Sequence, residues 1–279
     1  MNALRLPASY YQQFDADYTR DVPGEAYGGW KTADLEIAPD HTALAVMHAW
    51  DGGSPRQWPG LWRSTESMPR TVEILARVFP SLLAAVRRSP LPVFHVVGGR
   101  DYYTHLPGYQ RTRQLAEPAP RPAPVAKDPV WERLQQFRRD HAIVGTHNWP
   151  DVSGRYRGLD FAPEARPLDD EPIAQDGTQL SALCHAHGIN HLVYVGFAVN
   201  WCMVMSPGGM VDMGRHGVMC SAIREAVTAI ENRETAREER EKQQALWRIA
   251  LQWGFVFGVD DFIRAVSTLP LRQAQDARA

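Results

Sequence analysis

Unbroken apolar runs alternate along this chain with stretches of helical spacing. Residues 42–47 read as a core strand, 91–97 as a second parallel strand and 192–195 as a strand buried on both faces of a parallel sheet. Between the first two, Val72, Leu75, Val78, Phe79, Leu82, Leu83 and Val86 recur at helical intervals, with Pro80 placed to kink or divide the helix. Strand, helix and strand in that order make a βαβ unit. A short helix over 178–187 carries Leu180, Leu183 and Cys184 on one face and stops at Gly188. Residues 231–253 read as a further helix, charged in its first half and apolar at Leu246, Ile249, Ala250 and Trp253 in its second. The fold class predicted is α/β: a three-layer α/β/α domain with a mostly parallel sheet.

Two regions break the pattern. Residues 1–40 mix aromatics with Pro and Gly without a clear period, and read as an arm packed on the body, since so many rings are costly to leave in water. From 108 to 166 the periodicity dissolves into an excursion. Pro118, Pro120, Pro122, Pro124 and Pro129 deny a sheet ladder its donors, so 117–129 is extended surface chain. A helix over 130–139 and a polar, aromatic loop at 146–151 follow. The expectation is a single domain over 1–279 with these two appendages. More apolar surface than one core can easily cover favours a homo-oligomer.

Composition narrows the class. The chain is 44% hydrophobic and 22% charged with a net charge of −2, which speaks against nucleic-acid binding, and no run approaches the roughly eighteen apolar residues of a membrane span. The first residues lack the apolar core of a signal peptide, so a cytoplasmic protein is expected. Three cysteines, Cys184, Cys202 and Cys220, show no paired spacing, so neither a disulfide framework nor a zinc site is indicated, and no cofactor motif stands out.

Candidate chemistry gathers after the strand at 192–195. Cys202 lies just past its C-terminal end, where open α/β sheets hold ligands. A helix starting near Trp201 or Cys202 would favour the thiolate and offer backbone donors to an oxyanion. The alternative is a cysteine that is only a small buried hydrophobe.

The run Gly196-Phe197-Ala198-Val199-Asn200-Trp201-Cys202, with Asp212 and Gly214 downstream, resembles the nucleophile segment of the isochorismatase-like cysteine hydrolases, roughly G-x-A-T-N-x-C-V. Residues 42–47, 87–97 and 253–262 resemble that family's first strand, its second helix-to-strand passage and its closing segment, in the family's order. The resemblance implies hydrolysis of a small amide or related C–N bond. Cys202 would be the nucleophile, with Ala198, Val199, Asn200 and Trp201 around the substrate or its oxyanion. It also implies an aspartate ending the first strand and a lysine after a middle strand, and the chain departs at both. His48 stands where the aspartate belongs, with Asp51 three residues beyond. The three lysines are Lys31, Lys127 and Lys242, none near the middle strand, where Gln175 is the nearest equivalent.

Two readings follow. Either His48 replaces the aspartate as base, its imidazole having an ordinary pKa near 6.5, or the fold persists as a non-catalytic binding or assembly protein. A metal at His95, Asp101 and His105 is a weaker third, because their spacing departs from the Asp-x-His pair with which some members of the family bind zinc.

Overall fold

A computed structural model describes residues 3–120 and 122–272. Eight strands form one sheet: β1 (Leu4–Gln12), β2 (Gly29–Ile37), β3 (Thr42–Met47), β4 (Val93–Val96), β5 (Ile173–Ala174), β6 (His191–Phe197), β7 (Met219–Thr228) and β8 (Val256–Phe257). Their order is β2-β1-β8-β7-β6-β3-β4-β5. From β8 to β5 every pairing is parallel, and β1 joins β8 and β2 antiparallel. The three-layer α/β architecture is therefore as expected.

Each face buries its own core. On one, helices Met68–Arg77, Phe79–Arg88 and Val259–Val266 set Leu75, Phe79, Leu82, Phe262 and Val266 against Leu44, Val46, Val193 and Val195. On the other, helices Gly177–His187, Met210–Arg215 and Arg240–Gln252 set Leu180, Leu183, Met213 and Ile249 against Ala45, Met47, Leu192 and Tyr194. Burial on both faces is why β3 and β6 read as continuous apolar runs rather than alternating ones. Tyr194 is fully buried within this second core, and its hydroxyl donates to the Gly208 carbonyl at 2.7 Å. Gly196 has φ +120°, and a Cβ there would collide with the Met47 carbonyl, so only glycine lets β6 approach β3 this closely.

Chain order places a switch point. From β3 the chain runs outward to β4 and β5, then returns to lay β6 on the other side of β3 and continue to β7. The crevice above the C-terminal ends of β3 and β6 is where open α/β sheets bind ligands.

Several expectations change. Residues 4–37 form a β-hairpin that extends the sheet, with Leu4, Leu6 and Ala8 inward and the partners between them more exposed; Pro7 hid that alternation. The 68–88 helix divides at Val78 as Pro80 required. Residues 231–239 are not helical, with turn over 233–239, and the helix begins only at Arg240, capped from outside by the buried Glu231 carboxylate, which accepts from the Glu241 and Lys242 amides at 3.0 Å each. β7, with Arg224 and Glu225 inside it, gave no strand signal. In the excursion the helix expected over 130–139 is present as Pro129–His141, and two more are unexpected, Pro107–Leu115 and Trp149–Arg157, the latter beginning inside the segment 146–151 that reads as a loop.

Candidate active site at the switch point

Cys202 is the first residue of the helix Cys202–Met205, immediately beyond β6 and the turn 198–201. It is half-buried, whereas Cys184 and Cys220 are buried and burial pushes both of their thiols up to about 12. Only Cys202 therefore meets the exposure that a reactive cysteine needs. The turn is held by the Ala198 carbonyl, which accepts from the Trp201 and Met203 amides at 3.1 Å each, and by the Val199 amide, which donates to the Thr228 carbonyl at 2.9 Å. Asn200 ties the turn to the end of β7: its Nδ2 donates to the Ile230 carbonyl and its Oδ1 accepts from the Ile230 amide. The Val199 and Trp201 amides are thus committed within the protein, while the Cys202 amide has no acceptor among the described residues and remains free for an oxyanion.

His48 follows β3 directly. Its φ of +46° puts it in the left-handed region, which costs a non-glycine residue on the order of 1 kcal/mol and recurs at functional sites. The ring is stacked on Trp50 with centroids 4.5 Å apart, its Nδ1 has no partner, and burial lowers its pKa to about 4 against the opposing hydrogen bond to the Val97 backbone. At neutral pH His48 is a neutral imidazole with one unused basic nitrogen. Protonating it there costs roughly 3 kcal/mol more than protonating imidazole in water. No hydrogen bond joins it to Cys202 among the described residues.

A crevice of about 1060 Å³ opens beside His48 at the strand ends. Gly98 and Arg100 border it from the β4 exit, Gln175 and Thr178 from the β5 exit, and Met205 and Pro207 from the end of the Cys202 helix. Gln175 lies immediately after β5, and its Oε1 accepts from the Tyr103 and Tyr109 hydroxyls at 3.1 and 2.5 Å. Two phenols thus fix its orientation, and no lysine takes its place. Cys202 itself does not line this crevice; it lies one helical turn away from Met205, which does. Asp51 is exposed and its Oδ1 accepts from the Gly53 amide at 2.9 Å.

Tyr156, in the helix Trp149–Arg157, has a phenol raised first by burial and then by the electrostatic influence of Cys202. Tyr156 also meets Trp50 edge-on at 6.5 Å, and the Trp50 indole donates to the Tyr102 hydroxyl at 2.7 Å. Trp50 and Tyr156 thus form an aromatic wall beside His48. Neither residue stood out in the sequence, because Tyr156 comes from the excursion without periodicity and Trp50 from the loop after β3. The third candidate set does not assemble: His95 Nε2 donates to Glu171 Oε2 at 2.9 Å, and among the described residues no three His, Cys, Asp or Glu side chains converge as a metal site.

The structure is similar to solved isochorismatase-family hydrolases. A cysteine hydrolase from Pseudomonas syringae pv. phaseolicola matches at 16% identity and a TM-score of 0.47, over 83% of this chain and 95% of that one. An isochorismatase family protein from Burkholderia thailandensis matches at 17% and 0.43, over 82% and 97%. The pyrazinamidase of Pyrococcus horikoshii, solved with zinc, matches at 14% and 0.43, over 78% and 99%. No protein-family model and no curated protein matches the chain. The fold class rests on the sheet order and the two helical layers themselves.

Proposed function

We propose that this chain is a cysteine-dependent hydrolase of a small-molecule amide or related C–N bond, with Cys202 as nucleophile and His48 as its base. One observation carries the reading: the strand order reverses between β3 and β6, and the residues that follow those strands bring a half-exposed cysteine and an imidazole with an unpartnered nitrogen to the switch point. In the proposed reaction His48 Nδ1 takes the thiol proton and the sulfur attacks the carbonyl carbon. The Cys202 amide and the Gln175 side chain stabilise the oxyanion. The C–N bond then breaks with the proton passing to nitrogen, leaving a thioester that water hydrolyses with His48 again as base. A hydrogen bond between Cys202 and His48 has to form for this, as catalytic pairs often tighten only with substrate bound. The other proposed contacts, Ala198, Val199, Asn200, Trp201 and Asp51, shape the turn and the rim rather than the bonds that change. Residues 1–279 are read as one domain working in the cytoplasm, where its three free cysteines stay reduced.

A second reading, a non-catalytic binding or assembly protein of the same fold, is favoured by the burial of His48 under Trp50 and by a glutamine where the resembled family has its lysine. A panel of small amides, ureido acids and vinyl ethers decides between them. Turnover that Cys202→Ser lowers by about 10³-fold or more supports the hydrolase. A panel on which wild type turns over nothing, while wild type and Cys202→Ser bind the same compound equally, leaves the binding protein.

A further inference from the structure

The helix Pro129–His141 has not one buried residue among its thirteen. It is well begun, with Asp128 Oδ1 accepting from the Val130 and Trp131 amides at 2.7 and 3.1 Å, yet a helix of this length is marginal in water without something to pack on. Val130, Leu134 and Phe137 fall on one stripe by their i, i+4, i+7 spacing and are 53%, 61% and 63% exposed. Only Gln135, about a quarter turn round from Leu134, is partly covered by the rest of the chain. The apolar stripe therefore faces outward rather than toward its own core.

The edge of that stripe says what covers it. Arg133 and Asp140 lie seven residues apart, two turns along the same flank. Among the described residues neither Arg133 nor Asp140 forms an ion pair: Asp140 hydrogen-bonds the neutral Gln136 and Thr146 side chains, while Arg139 and His141 act on it only from a distance. If two copies of this helix run antiparallel about an axis between Gln136 and Phe137, Arg133 of each meets Asp140 of the other. Phe137 then packs on its counterpart and Val130 approaches Ile143, itself 56% exposed. The pattern is self-complementary, as a two-fold interface demands. A membrane surface fits less well, because Asp128, Glu132 and Asp140 interrupt the basic residues Arg133, Arg138 and Arg139 on the polar face.

We infer that the helix Pro129–His141 is a dimerisation element that pairs antiparallel with the same helix of a second copy. The chain preceding it, through Pro122, Pro120 and Ala119, forms one wall of the crevice at the strand ends, so the pairing also anchors that wall.

Sedimentation equilibrium of the full chain tests it. Wild type is expected at about twice the 31.4 kDa of one chain, or an even multiple, and Leu134→Glu combined with Phe137→Glu at half the wild-type mass. Arg133→Glu and Asp140→Arg should each weaken association at least 10-fold, and the two together in one chain should restore it, which a merely sticky apolar patch would not reproduce. Circular dichroism of these surface variants confirms that they fold. A wild-type mass of 31.4 kDa at tens of micromolar, or a mass that the Glu variants leave unchanged, overturns the proposal. So does a double charge variant as weak as the single ones. Monomeric wild type that floats with phosphatidylcholine–phosphatidylserine vesicles, and loses that on Phe137→Glu, would assign the stripe to a membrane instead.

Discussion

His48, just past β3, and His95, inside the neighbouring β4, are both buried, and burial lowers the pKa of both, yet they are built for different ends. His95 lies inside β4, opposite Val46, and donates to Glu171. Glu171 also takes a bidentate pair from Arg87 at 2.7 and 2.8 Å; burial alone would raise its pKa, but the bonds from His95 and Arg87 bring it to about 2. His48 lies one residue past its strand, in a left-handed conformation, against an indole rather than a carboxylate, and on the border of the crevice. A buried histidine with an acidic partner locks an edge of the sheet. Each histidine leaves its Nδ1 buried and without a partner, so what sets His48 apart is its place at a strand end on the border of the crevice, with no acidic partner.

The largest effect that this contrast predicts is on stability, at the His95 end. Glu171→Ala leaves Arg87 and His95 without their carboxylate and should cost about 3–5 kcal/mol in urea unfolding, with kcat per folded molecule nearly unchanged. A loss of turnover as large as that of His48→Ala would erase the distinction between the two histidines. His48→Ala should instead lower turnover about 10²-fold, with His48→Asp retaining part of it, and that loss should appear in kcat/KM on any substrate found in the panel.

The pH dependence sharpens the contrast further. Because the folded pKa of His48 is lowered to about 4, its neutral, proton-accepting form is present above that value, and the acid limb of kcat/KM should fall near pH 4 rather than near 6.5. The same sign holds for stability. A histidine kept neutral by the fold contributes fully above its unfolded pKa, and that contribution is lost as pH falls from about 6.5 through 4, by on the order of 3 kcal/mol at most for His48. An acid limb near 6.5 in wild type would mean that His48 works in a more open, hydrated form. The smallest effect expected is that of Trp50→Ala, which uncovers the imidazole and should move the limb upward by about one pH unit; a limb left in place would show that the stacked indole does not set the burial of His48.

The central layer was legible in the sequence because β3, β4 and β6 are buried on both faces, and runs dominated by apolar residues follow from that, with His95 the one polar residue inside β4. β7 was not, since Arg224 and Glu225 interrupt it, and the β1–β2 hairpin was masked by Pro7 and by aromatics on its exposed side. Cys202 could be placed from Gly196 and the strand before it. Trp50 and Tyr156 could not, because a wall made by a loop and a distant helix leaves no spacing to read. Gln175 could be located but not understood: its role depends on Tyr103 and Tyr109, more than sixty residues away in the chain.

The claim on which the rest depends is that Cys202 is the working thiol, and competitive alkylation measures it directly. Native protein treated with iodoacetamide near neutral pH and mapped by peptide mass spectrometry should show Cys202 modified at least 10-fold faster than Cys184 or Cys220, whose thiols burial holds at about 12, and a substrate from the panel should slow that reaction. Equal rates at all three cysteines, or a Cys202 rate that His48→Ala and bound substrate both leave unchanged, would contradict it.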